Sequence, residues 1–123
     1  MPRLTFLRRT MAIPDERHRL ADPAWVARLL EDGAFDNDIP GRFDHGYGAR
    51  PEEIEPFLAE HGFSGLELLA VEGFSIGIAG HFAEMAADQP DLYAAALDLV
   101  EAMAGERSAM GLAVHLLYVG RRD

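Results

Sequence analysis

Apolar positions along the 123-residue chain fall into blocks of two periods. In "ADPAWVARLLEDG" (Ala21–Gly33), Trp25, Val26, Leu29 and Leu30 share one face at helical spacing. Asp22 suits the capping position, Pro23 the first helical position, and Gly33 the stop. In "RPEEIEPFLAEHG" (Arg50–Gly62), Ile54, Phe57, Leu58 and His61 share a face, and the early glutamates suit the positive end of a helix. Pro56 removes a backbone donor and loosens the first turn, and Gly62 ends the helix. "DQPDLYAAALDLVEAMAG" predicts a third helix with a stripe through Leu92, Ala96, Leu99, Val100 and Met103. "FSIGIAGHFAEMAADQP" reads as a glycine-rich approach to a short helix around residues 82–87, and residues 4–20 as partly helical with a break at Pro14.

Two blocks read as strands. "FSGLELLAVEG" has Gly65 at a bulge position and neighbouring apolar residues Leu68, Leu69, Ala70 and Val71, the pattern of a strand covered on both faces. "LAVHLLYVGRR" reads the same way and ends near Gly120. Two strands alone are marginal in water, so a larger sheet is expected around them. No repeat, linker or low-complexity tract divides the chain, which is read as one α/β domain.

Composition narrows the chemistry. The net charge is −10, and all eleven basic residues are arginine. Such a surface repels phosphate backbones and anionic membranes, which disfavours nucleic-acid and polybasic membrane binding. Without cysteine there is no disulfide, thiolate metal site or cysteine nucleophile. No leader-like or membrane-spanning apolar run is present, so a cytoplasmic protein is expected. Met11, Met85, Met103 and Met110 read as core filler.

The densest chemistry lies in "FDNDIPGRFDHGYGARPEEI" (Phe35–Ile54). Counted as a calcium loop from Asp36, it has Asp38 at position three and Gly41 at six, but Pro40 at five and Tyr47 where the bidentate glutamate belongs. The histidines His18, His45, His61, His81 and His115 show no paired zinc spacing, so no metal is expected. His61 and His115 read as structural, while His45, beside Asp44, could be oriented or charged by a carboxylate.

Three features together resemble the C-terminal half of class I S-adenosylmethionine-dependent methyltransferases: "RPEEIEPFLAEHGFSGLELLAVEG", the glycine-terminated connection into a long acidic helix, and "ERSAMGLAVHLLYVGRR" with its Gly-Arg end. The likeness runs from about Trp25 to Arg122. It implies a partial Rossmann-like fold: the last two antiparallel strands, six and seven, of a seven-stranded sheet, with about four helices. Residues 1–50 would be a helical substrate-side lid segment and loop, and residues 51–123 the helix-strand-helix-strand region. The family's glycine-rich cofactor turn after strand one is missing; Gly73, Gly77 and Gly80 follow the penultimate strand and do not match its spacing.

The implied function is the acceptor side of a small-molecule methyltransferase. Its cofactor, S-adenosylmethionine, is not expected to bind this chain alone, and no cofactor-binding residue is assigned. Whether the chain is a truncated form, one half of a split enzyme or a non-enzymatic dimerising or ligand-binding module stays open. Expected partners are a small-molecule acceptor and either a second copy or a chain supplying the missing sheet. Under the resemblance, Trp25, Phe43, Tyr47 and Arg50 are candidate substrate-binding residues, and Asp44 and His45 candidates for taking the acceptor's proton. The plainer reading has Phe43 and Tyr47 anchoring a loop and the charges solvated.

Overall fold

The computed structural model describes residues 1–123 and shows a mixed α/β chain with two separate two-stranded antiparallel sheets. Helix α1 (Arg3–Ala12) stops before Pro14, and a 3-10 helix (Pro14–Ala21) follows. In α2 (Pro23–Asp32) the Asp22 carboxylate accepts from the N–H groups of Ala24 and Trp25 at 3.0 and 3.2 Å, as the sequence predicts. Gly33 closes α2 in the left-handed region, at φ 76°.

Short strands β1 (Ala34–Asp36) and β2 (His45–Tyr47) then pair antiparallel. Helix α3 (Pro51–Glu60) leads into β3 (Phe63–Ala70), and a short 3-10 turn (Gly73–Ser75) leads to α4 (Ala79–Asp88) and α5 (Pro90–Ala102). Helix α6 (Arg107–Leu112) precedes β4 (Leu116–Arg122). Strands β3 and β4 pair antiparallel, with Leu68 opposite Tyr118 and Ala70 opposite Leu116. The register shifts between Ser64 and Glu67, around Gly65 at φ 60°, which is the expected bulge.

The apolar core is split in two. Phe6, Trp25 and Leu29 join α1 to α2, with Phe35 of β1 packed against them. Leu68, Ala70, Ala109, Met110 and Ala113 join β3 to α6, with Ile54, Leu116 and Tyr118 at the margin. Three hydrogen bonds tie the N-terminal segment to later parts of the chain: Arg3 N–H to Ala49 O at 2.9 Å, Ala49 N–H to Met1 O at 3.2 Å, and the Thr5 hydroxyl to Ala113 O at 2.6 Å.

Several expectations are corrected. There are six α-helices and two 3-10 helices rather than about four helices. Residues 34–49, read as a loop, contain the β1–β2 hairpin, whose three-residue strands are too short to display alternation. The closing strand starts at Leu116 because Ala109, Met110 and Ala113 bury a helical face before it. The β3–β4 sheet is covered on one face only: Leu68, Ala70, Leu116 and Tyr118 face the core, whereas Leu117 and Val119 on the other face are half exposed. The stripe of α5 also meets solvent, since Val100 is buried but Leu92, Leu99 and Met103 are exposed. Met110 is core, whereas Met11 and Met103 are exposed.

The Gly33 turn lies against the Gly48 backbone and the Arg3 side chain. A Cβ there would stand 2.6 Å from Gly48 O and 2.5 Å from the Arg3 guanidinium. Gly33→Ala is therefore expected to destabilise the fold by about 2 kcal/mol or more, the left-handed penalty plus the clash with fixed backbone. Chemical denaturation of both proteins measures this, with a lower midpoint and an unchanged slope as the expected result.

Candidate functional site

The hairpin after Gly33 closes one side of a cavity of about 730 Å³. Phe35 stacks on Phe6 with ring centroids 3.7 Å apart, and so gives the cavity an aromatic wall anchored in the core. Gly46 lies against this wall, since a Cβ there would stand 2.4 Å from the Phe35 ring. The connection between the strands brings Phe43 to the lining with its ring 89 % exposed, and β2 adds His45 and Tyr47.

The opposite side comes from α1, the 3-10 helix and Arg42. Glu16 is 1 % exposed. Its Oε1 accepts from Arg9 at 3.1 Å and also from Arg42, while Oε2 is buried without a hydrogen-bond partner. Arg19, also buried, is spoken for: it donates to Asn37 at 2.5 Å and to Asp38 at 2.6 Å, and its guanidinium stands 5.8 Å from the Trp25 ring centre. The Arg19 hydrogen bond holds the Asp38 carboxyl below its usual range, with help from a backbone donor.

A second network fixes the base of the hairpin. Arg3 is buried, donating from Nε to Gly48 O at 2.8 Å, from Nη1 to Leu30 O at 3.1 Å and from Nη2 to Glu53 Oε1 at 3.1 Å. Glu53 also accepts from the Tyr47 hydroxyl at 2.6 Å and from the Arg50 N–H at 3.0 Å. Burial acts to raise the Glu53 pKa, but these hydrogen bonds and the nearby arginine charges outweigh it and hold the carboxyl below its usual range. The same hydrogen bond and the Glu53 charge raise the Tyr47 pKa, so this phenol resists ionisation.

The residues singled out from the sequence separate accordingly. Phe43, His45 and Tyr47 meet in the one cavity. Asp44 is exposed and does not line it. Trp25 is a core residue whose indole N–H reaches Asp36 O at 3.3 Å, and it borders only a neighbouring polar cleft. Arg50 lies in another groove, donating to Leu30 O at 3.2 Å. Sequence reasoning missed Arg9, Glu16, Arg19 and Arg42. The available signal was the concentration of five of the eleven arginines in the first nineteen residues of an acidic chain.

Away from the cavity, Glu72 accepts the N–H groups of Val114 and His115 at 3.1 and 3.0 Å and contacts His115 Nδ1 at 2.6 Å, giving His115 a structural partner. His61 Nδ1 meets Phe57 O at 2.7 Å. No group of three or more histidine, aspartate or glutamate side chains is arranged to hold a metal ion. No helix is long and apolar enough to cross a membrane. No protein-family model, curated protein or solved structure matches the chain.

Because the Glu53 pKa is depressed in the folded state, its contribution to stability is complete above the usual value of 4.5 and is lost as pH falls through the lower folded value. Thermal melts should therefore fall in Tm below about pH 4.5, and Glu53→Gln should flatten that part of the profile while lowering Tm at neutral pH. An unchanged acid limb in the variant would remove Glu53 from the linkage.

Proposed function

We propose that the chain is the acceptor-substrate side of an S-adenosylmethionine-dependent small-molecule methyltransferase, completed by a sheet and cofactor site from outside these 123 residues. The observation that carries this reading is the half-finished β3–β4 sheet. Its second face presents Leu117 and Val119, and no element of the chain adds a third strand. The surface accounting agrees. At 8084 Å², the accessible surface exceeds by roughly 1,500 Å² what size scaling gives for a folded monomer of 13.5 kDa. An excess of that size matches one partner's share of a large permanent interface. The antiparallel pair, with helices between its strands in sequence, is also what the methyltransferase resemblance asks of strands six and seven.

In this reading the cavity holds the acceptor. Methyl transfer is an in-line displacement at a sulfonium carbon, so the protein contributes by placing the acceptor and excluding water. Phe35, Phe43 and Tyr47 supply apolar and aromatic surface, and His45 stands where an acceptor proton could be taken up. S-adenosylmethionine would supply the methyl group, and no residue of this chain is assigned to hold it.

The purified chain should bind S-adenosylmethionine more weakly than micromolar in calorimetry and transfer no methyl group alone. A polypeptide carrying the glycine-rich cofactor half should restore transfer and slow hydrogen exchange along β4. Phe43→Ala and His45→Ala in the reconstituted enzyme should lower acceptor turnover about tenfold or more with donor affinity unchanged. Micromolar donor binding by the chain alone, or loss of donor affinity in these variants, would overturn the assignment.

The open face also favours a second reading, a dimerising module that pairs two copies through β4. Light scattering would then show a dimer that Val119→Lys converts to monomer without changing the helical circular dichroism. A monomer at all concentrations would dismiss this reading.

A further inference from the structure

We propose that the cavity holds a small molecule by one carboxylate, clamped between the spare N–H groups of Arg9 and Arg42. The inference rests on the reading of this cavity as the acceptor site and names the head group by which that acceptor is held.

The observation is a local reversal of sign. In a chain of net charge −10, the cavity lining carries Arg9, Arg19 and Arg42 against a single carboxylate, Glu16. The neighbouring polar cleft has the opposite balance, with Asp22, Asp36 and Asp38 against Arg19 and Arg28. Arg19 is paired with Asp38. Arg9 and Arg42 share Glu16, and neither donates to any other group of the chain.

Glu16 is the base of the clamp and not part of its opening. Its Oε2 is buried out of reach of the cavity, while Oε1 draws both guanidinium groups to one point. One carboxylate offsets only one of their two charges, and the lining supplies no second acceptor for the remainder. Asn37 Oδ1 already accepts from Arg19 and from the Ile39 N–H, the Tyr47 hydroxyl is directed at Glu53, and Asp44 lies outside the lining. Each guanidinium has five N–H donors, and the two side chains remain 38 % and 30 % exposed, so donors are left where a ligand can reach them.

The clamp selects the head group. A planar fork of donors matches the two oxygens of a carboxylate. One carboxylate brings the sum over Arg9, Arg42 and Glu16 to zero, whereas a phosphate dianion would leave an unmatched negative charge within an acidic chain.

The test is a titration of the intact 15N-labelled chain with propionate, propionamide and ethyl phosphate, at fixed ionic strength and about pH 7.5, where a phosphate monoester is a dianion. Saturable amide shifts at residues 41–47 are expected, with propionate binding about tenfold or more tightly than propionamide and more tightly than ethyl phosphate. Arg9→Gln and Arg42→Gln should each weaken propionate about tenfold and leave propionamide unchanged. Arg28→Gln removes the same charge from the neighbouring cleft and should change neither affinity. Should Arg42→Gln disturb the hairpin, the wild-type probe series and the Arg9 variant still decide the matter. Equal affinity for propionate and propionamide, tighter binding of ethyl phosphate, an equal loss in the Arg28 variant, or no saturable shift at these amides would overturn the proposal. The titration needs no methyl donor. Carboxylate selectivity without methyl transfer after reconstitution would overturn the methyltransferase reading alone, and transfer to neutral acceptors in preference to carboxylates would overturn the head group alone.

Discussion

The arrangement depends on the buried guanidinium of Arg3. Its nitrogens reach the C-terminal end of α2 at Leu30, the backbone at Gly48 and the Glu53 carboxylate of α3. One side chain thus holds together elements that lie 27 to 50 residues away from it in sequence. A planar fork of donors suits this task in a way a lysine ammonium would not. Removing Glu53 would leave the buried guanidinium short of a partner, a cost that solvent moderates because the Glu53 side chain is 36 % exposed. The position of the hairpin, and with it the shape of the cavity, follows from this joint.

Around Arg3 the molecule has two unequal ends. The N-terminal cluster is closed, with Leu29 fully buried and Trp25 and Phe6 covered, and it supports the aromatic wall of the cavity. The β3–β4 end is open on one face, and α5 sets several apolar side chains in water. A folded chain keeps such an imbalance when another surface normally covers the open end. The two parts are tied through Ala49 and through the Thr5–Ala113 hydrogen bond.

What was legible in the sequence was local. Asp22, Pro23 and Gly33 mark α2 because capping and left-handed turns depend on neighbouring residues, and Gly65 marks the bulge for the same reason. The two long strand blocks were legible from their apolar runs. What failed to show was long-range. The covering of a strand face depends on what packs there, so Leu117 and Val119 read like core residues and lie half exposed. Phe43, His45 and Tyr47 could be drawn from one loop as a group, but Glu16 carries no local pattern that distinguishes it from a solvated acid; its role comes from Arg9 and from Arg42, 26 residues away. Trp25 looked like a ligand-facing aromatic because aromatic content alone cannot tell a wall from a core.

The charge of −10 then takes on a colloidal meaning beside the unfinished sheet. Exposed strand edges and half-bare leucines invite random self-association, and like-charge repulsion between copies opposes it. That repulsion is long-ranged only in dilute electrolyte, since the Debye length shrinks to about 3 Å in molar salt. The acidic surface therefore acts as a dispersant for a chain with an open sheet face, and high ionic strength, often used to keep proteins in solution, works against it here.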